Sequence, residues 1–104
     1  MTLDSNAVRF RMDPPASGQM LKVDVKGVPV AIANVGGSLR AFDDTCTHRR
    51  CSLSEGRLAG PTVMCPCHMS RFDLRFGDPI DGPADEPIRI RSIAQEGEEL
   101  VIEA

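Results

Sequence analysis

The residues able to do chemistry are concentrated in one short stretch. All four Cys and both His lie between Cys46 and His68. They are arranged as Cys46-Thr47-His48, an intervening sixteen residues, then Cys65-Pro66-Cys67-His68. Thiolates and imidazoles are ligands for zinc and for iron–sulfur clusters. A C-x-H pair and a C-x-x-H pair can each sit on one tight loop with both side chains converging. Each loop then contributes one thiolate and one imidazole, Cys46 with His48 and Cys65 with His68. The chain holds no third imidazole for a mononuclear catalytic zinc or non-haem iron. Cysteines of a disulfide framework would be spread along the chain to tie distant parts together, so the clustering with both His argues for a metal site.

The elements that must position these loops read as strands. Residues 7–12 (AVRFRM) alternate weakly, as an edge strand does. Asp13 to Gly18 is rich in turn formers. Met20 to Lys26 alternates with period two, Leu21, Val23 and Val25 on one face and Lys22, Asp24 and Lys26 on the other. Val28–Val35 is a second strand, Gly36-Gly37 a hairpin turn, and Ser38 to Phe42 a third strand. Periodicity breaks down from Asp43 to about Ser70, where the metal-type residues fall, with a short strand expected at Thr62–Met64 between the loops. Phe72 to Phe76 reads as extended. Gly77-Asp78-Pro79 and Asp81-Gly82-Pro83 mark a long loop. Ile88, Ile90 and Ile93 suggest one more strand, Glu96-Gly97 a turn, and Leu100–Ile102 a last strand. No segment carries a 3.6-residue period of useful length, so the fold class expected is all-β.

Composition bounds the rest. A chain of 104 residues is one small domain, 1–104, with 41% hydrophobic and 26% charged residues, and only four Phe as aromatics. Its aliphatic core is small enough that a bound metal or a covalent staple would add needed stability. The net charge is −3, and ten of the 12 basic residues are Arg. With no basic block, nucleic acid is excluded as a main partner. No apolar run approaches a membrane span, so no membrane partner is expected. The N-terminus MTLDSNAVRF has neither a basic n-region nor an apolar h-region, and the expected location is the cytoplasm.

The spaced pairs C-x-H and C-x-x-H resemble the ligand set of Rieske [2Fe–2S] proteins. Ser54-Glu55-Gly56, Phe72-Asp73 and Gly82-Pro83-Ala84 followed by Pro87 fall where such proteins carry similar residues. The size resembles the free-standing ferredoxins that feed aromatic-ring dioxygenases. The resemblance implies stacked antiparallel sheets with two cluster-binding loops and a proline loop at Gly82-Pro83. It implies one [2Fe–2S] cluster per chain, Cys46 and Cys65 on one iron and His48 and His68 on the other. Replacing two thiolates by neutral imidazoles raises the potential from roughly −400 mV into a window of about −150 to +300 mV. The implied role is one-electron transfer from a flavin-dependent ferredoxin reductase to a terminal oxygenase, with no catalysis by the chain itself. An electron-transfer subunit of a respiratory or arsenite-oxidase-like complex is the alternative, and a structural Cys2His2 zinc module a further one. A C-x-H pair is unusual for zinc modules.

Within the same resemblance, Cys51 and Cys67 match the inter-loop disulfide of Rieske proteins of the cytochrome bc1 and arsenite oxidase type. Dioxygenase ferredoxins usually lack that bond, and two reduced buried thiols are the alternative. Ser70 matches the position of a hydroxyl that tunes the potential by hydrogen-bonding a cluster sulfur, against the reading that it caps its own turn. Phe72 stands where high-potential members place a Tyr, and is read as core packing. Arg49, Arg50 and Arg71 adjoin the His ligands; the resemblance implies a positive collar around the cluster edge, with steering of an acidic partner surface as one reading and simply solvated loop charges as the other.

Overall fold

The computed structural model describes residues 7–47, 50–67, 69–84 and 86–104. Among the described residues eleven strands form three antiparallel sheets, with no α-helix. The first sheet joins the two ends of the chain in the order β1 (Val8–Arg11), β11 (Glu99–Ile102), β10 (Ile93–Glu96). The second holds β2 (Met20–Val25), β3 (Val28–Val35), β4 (Ser38–Asp43) and β9 (Ile90–Arg91), in that order. The third is β5 (Arg57–Ala59), β6 (Thr62–Met64), β7 (Arg71–Asp73) and β8 (Pro79–Asp81). The expected all-β architecture of antiparallel sheets is therefore present.

Strand β3 explains how two small cores share one sheet. Side chains alternate faces along a strand, and Val30, Ala31, Ile32 and Ala33 are all fully buried. Val30 and Ile32 pack with Val25, Ala41, Leu100 and Ile102 between the first and second sheets. Ala31 and Ala33 face the other way, into a core with Phe42, Cys46, Leu53, Val63, Cys65, Phe72 and Leu74. The branched residues fill one side and alanines leave room on the other, where the cysteines lie. The β3–β4 hairpin is closed at Val35 opposite Ser38. Both central residues, Gly36 and Gly37, have positive φ of 59° and 99°, the conformation a two-residue turn needs to match strand twist. Asn34 Oδ1 accepts the Gly37 N–H at 2.7 Å.

Three expectations change. The strand expected over Phe72–Phe76 ends at Asp73, because Asp73 turns the chain. Its carboxylate accepts the Arg75 N–H at 2.8 Å, and its carbonyl accepts the Gly77 N–H at 2.6 Å. The loop expected from Gly77 is interrupted by β8, which returns along β7 with a register shift between Arg71 and Phe72. Pro79 is tolerated there because β8 is an edge strand and needs no donor on its outer side. The strand expected through Ile88, Ile90 and Ile93 is two strands on two sheets, β9 against β4 and β10 against β11. The chain changes sheets at Ser92, which exchanges hydrogen bonds with Glu103: its N–H donates to Glu103 Oε1 and its carbonyl accepts the Glu103 N–H, both at 2.9 Å. Buried Arg91 locks the crossing, donating to Asp43 Oδ1 at 2.6 Å and to the Glu103 carbonyl at 3.0 Å. Ile88 is outside any strand and buried. Strand β5 and a 3-10 turn at Leu53–Glu55 also arise where the periodicity had broken down.

Candidate metal centre

The first loop leaves the end of β4 and is gathered at its base by Asp44. This residue is only 2% exposed. Its Oδ2 accepts the Ser52 hydroxyl, and its Oδ1 accepts the Ser54 N–H at 2.7 Å. The Asp44 carbonyl accepts the Leu53 N–H at 2.7 Å, and Thr45 bridges Ser52. One step further in, the Cys46 N–H donates to the Cys51 carbonyl at 2.9 Å. Leu53, fully buried, plugs the turn into the core. The segment between Cys46 and Cys51 is thus held at both ends by backbone bonds rather than by a sheet.

The second loop joins β6 to β7. The Cys65 N–H donates to the Ser70 carbonyl at 2.8 Å, and the Met69 N–H to the Cys65 carbonyl at 3.1 Å. Met69 takes a left-handed φ of 60°, which reverses the chain tightly enough to start β7 at Arg71. The proline loop at Gly82–Ala84 sits directly on this turn. The Ala84 N–H donates to the Ser70 hydroxyl oxygen at 3.1 Å, and Ser70 is fully buried. Gly82 has a φ of 90°, and a Cβ there would stand 2.6 Å from Ser70 Cα. Only glycine fits both the conformation and the approach.

The three loops are also tied to one another. Thr47 donates its hydroxyl to the Glu86 carbonyl at 2.8 Å, joining the first loop to the segment after Pro83. Cys51 and Cys67 are disulfide-bonded, with their Cα atoms 6.4 Å apart, joining the first loop to the second. Cys46 and Cys65 stand outside that bond, each buried, at 2% and 1% exposure. The sulfurs of Cys51, Cys65 and Cys67 lie within 4.8 Å of one another. His48, His68 and Arg49 lie outside the described residues. Of the expected four-residue ligand set the structure thus places Cys46 and Cys65.

One member of the expected collar, Arg71, is paired across the sheet. Arg71 is engaged by Asp81, with Nη2 to Oδ2 at 2.7 Å and Nε to both carboxylate oxygens at 3.1 Å. The side-chain hydrogen bonds and the attraction of Asp81 raise the Arg71 pKa, and the same contacts hold the Asp81 carboxyl below its usual value. Arg71 is therefore neutralised locally, across the β7–β8 pair, and Arg50 is an exposed cation on the first loop. Phe72 is fully buried in the core, as expected. The Ser70 hydroxyl oxygen accepts from the neighbouring loop. Asp44, Thr47 and Ser52 were not singled out by sequence, and Ser54 only within the Ser54-Glu55-Gly56 resemblance. The available signal was their type, since short Asp, Ser and Thr side chains favour local backbone hydrogen bonds in loops.

Two buried sulfurs outside the disulfide, one on each loop, are a donor pair of the kind an iron–sulfur cluster needs. The family model described as the Rieske [2Fe-2S] domain matches residues 7–94. This chain belongs to the Rieske [2Fe–2S] family. The Rieske chain is 35% identical over 88 residues to the ferredoxin component of biphenyl 2,3-dioxygenase from Rhodococcus jostii RHA1, spanning 85% of this chain and 82% of that one. Among solved structures it is similar to the ferredoxin of carbazole 1,9a-dioxygenase from Nocardioides aromaticivorans IC177. The TM-score is 0.84 at 28% identity, with 95% of this chain and 98% of that chain covered. It is also similar to a chain in the complex of reduced oxygenase and oxidized ferredoxin in carbazole 1,9a-dioxygenase, with TM-score 0.83, 29% identity and coverage of 91% and 92%.

The residues present fit one [2Fe–2S] cluster per Rieske domain. Cys46 and Cys65 supply sulfur donors from opposite loops. The first loop is cinched at Asp44, the second at Ser70, and Gly82 lets the proline loop lie directly against buried Ser70. No helix among the described residues is long and apolar enough to cross a membrane.

Proposed function

We propose that this chain, as a single domain over residues 1–104, is the ferredoxin component of a multicomponent aromatic-ring dioxygenase, carrying one electron at a time in the cytoplasm. It takes the electron from a flavin-dependent ferredoxin reductase and delivers it to a terminal oxygenase. The observation that carries this reading is the pair of buried cysteines, Cys46 and Cys65, on two loops fastened by the third. The match to ferredoxin components, over 82% of one and 98% of the other, supports the carrier role. The oxygenase partner is supported by the solved complex in which a ferredoxin of this fold sits with its oxygenase.

Cys46 and Cys65 would hold one iron, and His48 and His68 the other. When bound, the cluster supplies reversible one-electron chemistry at a potential raised by the neutral imidazoles. The chain's own residues do the rest. The bonds at Asp44 and at Cys65–Ser70 hold the donor-bearing loops in place when charge changes, which keeps reorganisation small. The proline loop excludes water from the buried side through Ala84, only 7% exposed.

Iron and sulfide analysis of the purified protein, with EPR of the reduced form, tests the reading. One [2Fe–2S] cluster per chain with a Rieske-type signal is expected, lost in His48→Ala and His68→Ala. A colourless, EPR-silent protein with stoichiometric zinc would replace it by the structural zinc module.

A further inference from the structure

The proposed cluster uses only one of three sulfurs that crowd the junction of the two loops. Cys51, Cys65 and Cys67 hold their sulfurs within 4.8 Å of one another. In a tetrahedral site, zinc–thiolate bonds of about 2.3 Å place two sulfurs about 3.8 Å apart. The three are therefore gathered within about 1 Å of the spacing that a tris-thiolate site needs, and two of them are bonded to each other. A cleft of about 350 Å³ opens beside Cys65, with Glu55 and Arg57 as its charged lining residues, and supplies an entry path.

We propose that Cys51, Cys65 and Cys67 form a second, redox-gated metal site for a thiophilic divalent cation of the zinc class, closed while the Cys51–Cys67 disulfide stands. The gate opens by two-electron reduction. Two molecules of a small thiol give up two electrons and two protons and leave as their own disulfide, while the Cys51–Cys67 bond breaks to two thiols. The three cysteines then bind the cation as thiolates, releasing their protons to water, with water as the fourth ligand. Soft thiolates select such ions over hard ones. Because Cys65 belongs to both donor sets, a filled tris-thiolate site excludes the cluster. The disulfide thus keeps two competing sulfurs away from a cluster ligand. The exclusion rests on the cluster reading above; the metal site does not.

The test uses the full chain carrying Cys46→Ser, which cannot complete the cluster, with Co2+ as the spectroscopic stand-in for zinc. A phosphine reductant is used because a dithiol would chelate the metal. With the disulfide intact, little thiolate-to-cobalt charge-transfer absorption is expected. After reduction the band of a tris-thiolate site should appear, be displaced by Zn2+, and be absent when Cys51→Ser or Cys67→Ser is added. A cobalt spectrum indifferent to reduction, or unchanged by both serine variants, overturns the proposal. It would place the metal on the remaining Cys65, His48 and His68 instead. A second measurement keeps the native ligand set. Cluster-bearing protein given phosphine and Zn2+ together should lose its visible absorbance faster than with either alone, and equal rates overturn the exclusion. If the as-purified chain holds no iron while the reduction-dependent cobalt band appears, the cluster reading fails and the metal site stands. The converse pair of results sinks the site alone.

Discussion

Replacing Gly82 by Ala should detach the proline loop from the second loop. The added Cβ would lie 2.6 Å from Ser70 Cα, 3.0 Å from Ser70 N and 3.1 Å from Ser70 Oγ. Carbon atoms prefer about 3.5–4.0 Å, so the loop must retreat by roughly 1 Å against rigid backbone. A retreat of that size breaks the 3.1 Å hydrogen bond from the Ala84 N–H to Ser70 Oγ. Leaving those buried groups unpaired costs about 1–3 kcal/mol. The positive φ of 90° at Gly82 adds about 1 kcal/mol for any residue with a Cβ. The sum is about 3 kcal/mol, which lowers the melting temperature of a domain this size by roughly 12–24 °C. Thermal melts followed by circular dichroism measure it. Gly97→Ala is the control, since Gly97 has a φ of 60° but nothing within 4 Å of its Cβ position. It carries the conformational cost alone, about 1 kcal/mol. If Gly82→Ala and Gly97→Ala melt together, the loop is not seated on Ser70 and the argument fails.

Three further outcomes follow from the same geometry. Asp44→Ala removes the acceptor of the Ser52 hydroxyl and the Ser54 N–H, and should cost about 2–4 kcal/mol in urea unfolding. Asp44→Asn should cost less because one oxygen remains, so equal losses would refute the account. The Arg75 side-chain hydrogen bonds, with its N–H and its charge, hold the Asp73 carboxyl at about 2 rather than 3.8. A lowered carboxyl pKa stabilises the fold at pH values above 3.8, and that contribution is lost as pH falls toward 2. Asp73→Asn should flatten the fall in melting temperature across that window; an unchanged slope would show that the pair does not persist in solution. Ser70→Ala should lower the midpoint potential in voltammetry if its hydroxyl donates to a cluster sulfur, as a donor stabilises the more negative reduced state. An unchanged potential with an intact EPR spectrum would confine Ser70 to holding Ala84.

Much of this protein was legible in one dimension because its information is local. Alternation at Met20–Val25 specifies a strand by its pleat, and the Gly36-Gly37 turn specifies the hairpin of Val28–Val35 with Ser38–Asp43 by turn chemistry. The ligand spacing, C-x-H then C-x-x-H, is likewise a property of neighbours in the chain, which is why the family was recognisable before any fold was known. What needed the tertiary structure was every contact between segments far apart in sequence. Arg71 reads as a free cation beside the second loop until β8 brings Asp81 across from it. Ser92 reads as the middle of an isoleucine strand until the chain is seen to leave one sheet for another, a change that the hydrophobic pattern does not encode. Asp44 and Ser54 are ordinary loop residues by type, and become the base of the first loop only when the chain folds back between them. Gly82 could be read as one more turn glycine, whereas its necessity lies in the 2.6 Å to a residue twelve positions earlier. Side-chain type and spacing select which ligands are on offer, but the distance between two loops is set by long-range packing, and only that distance brings a third cysteine beside a disulfide.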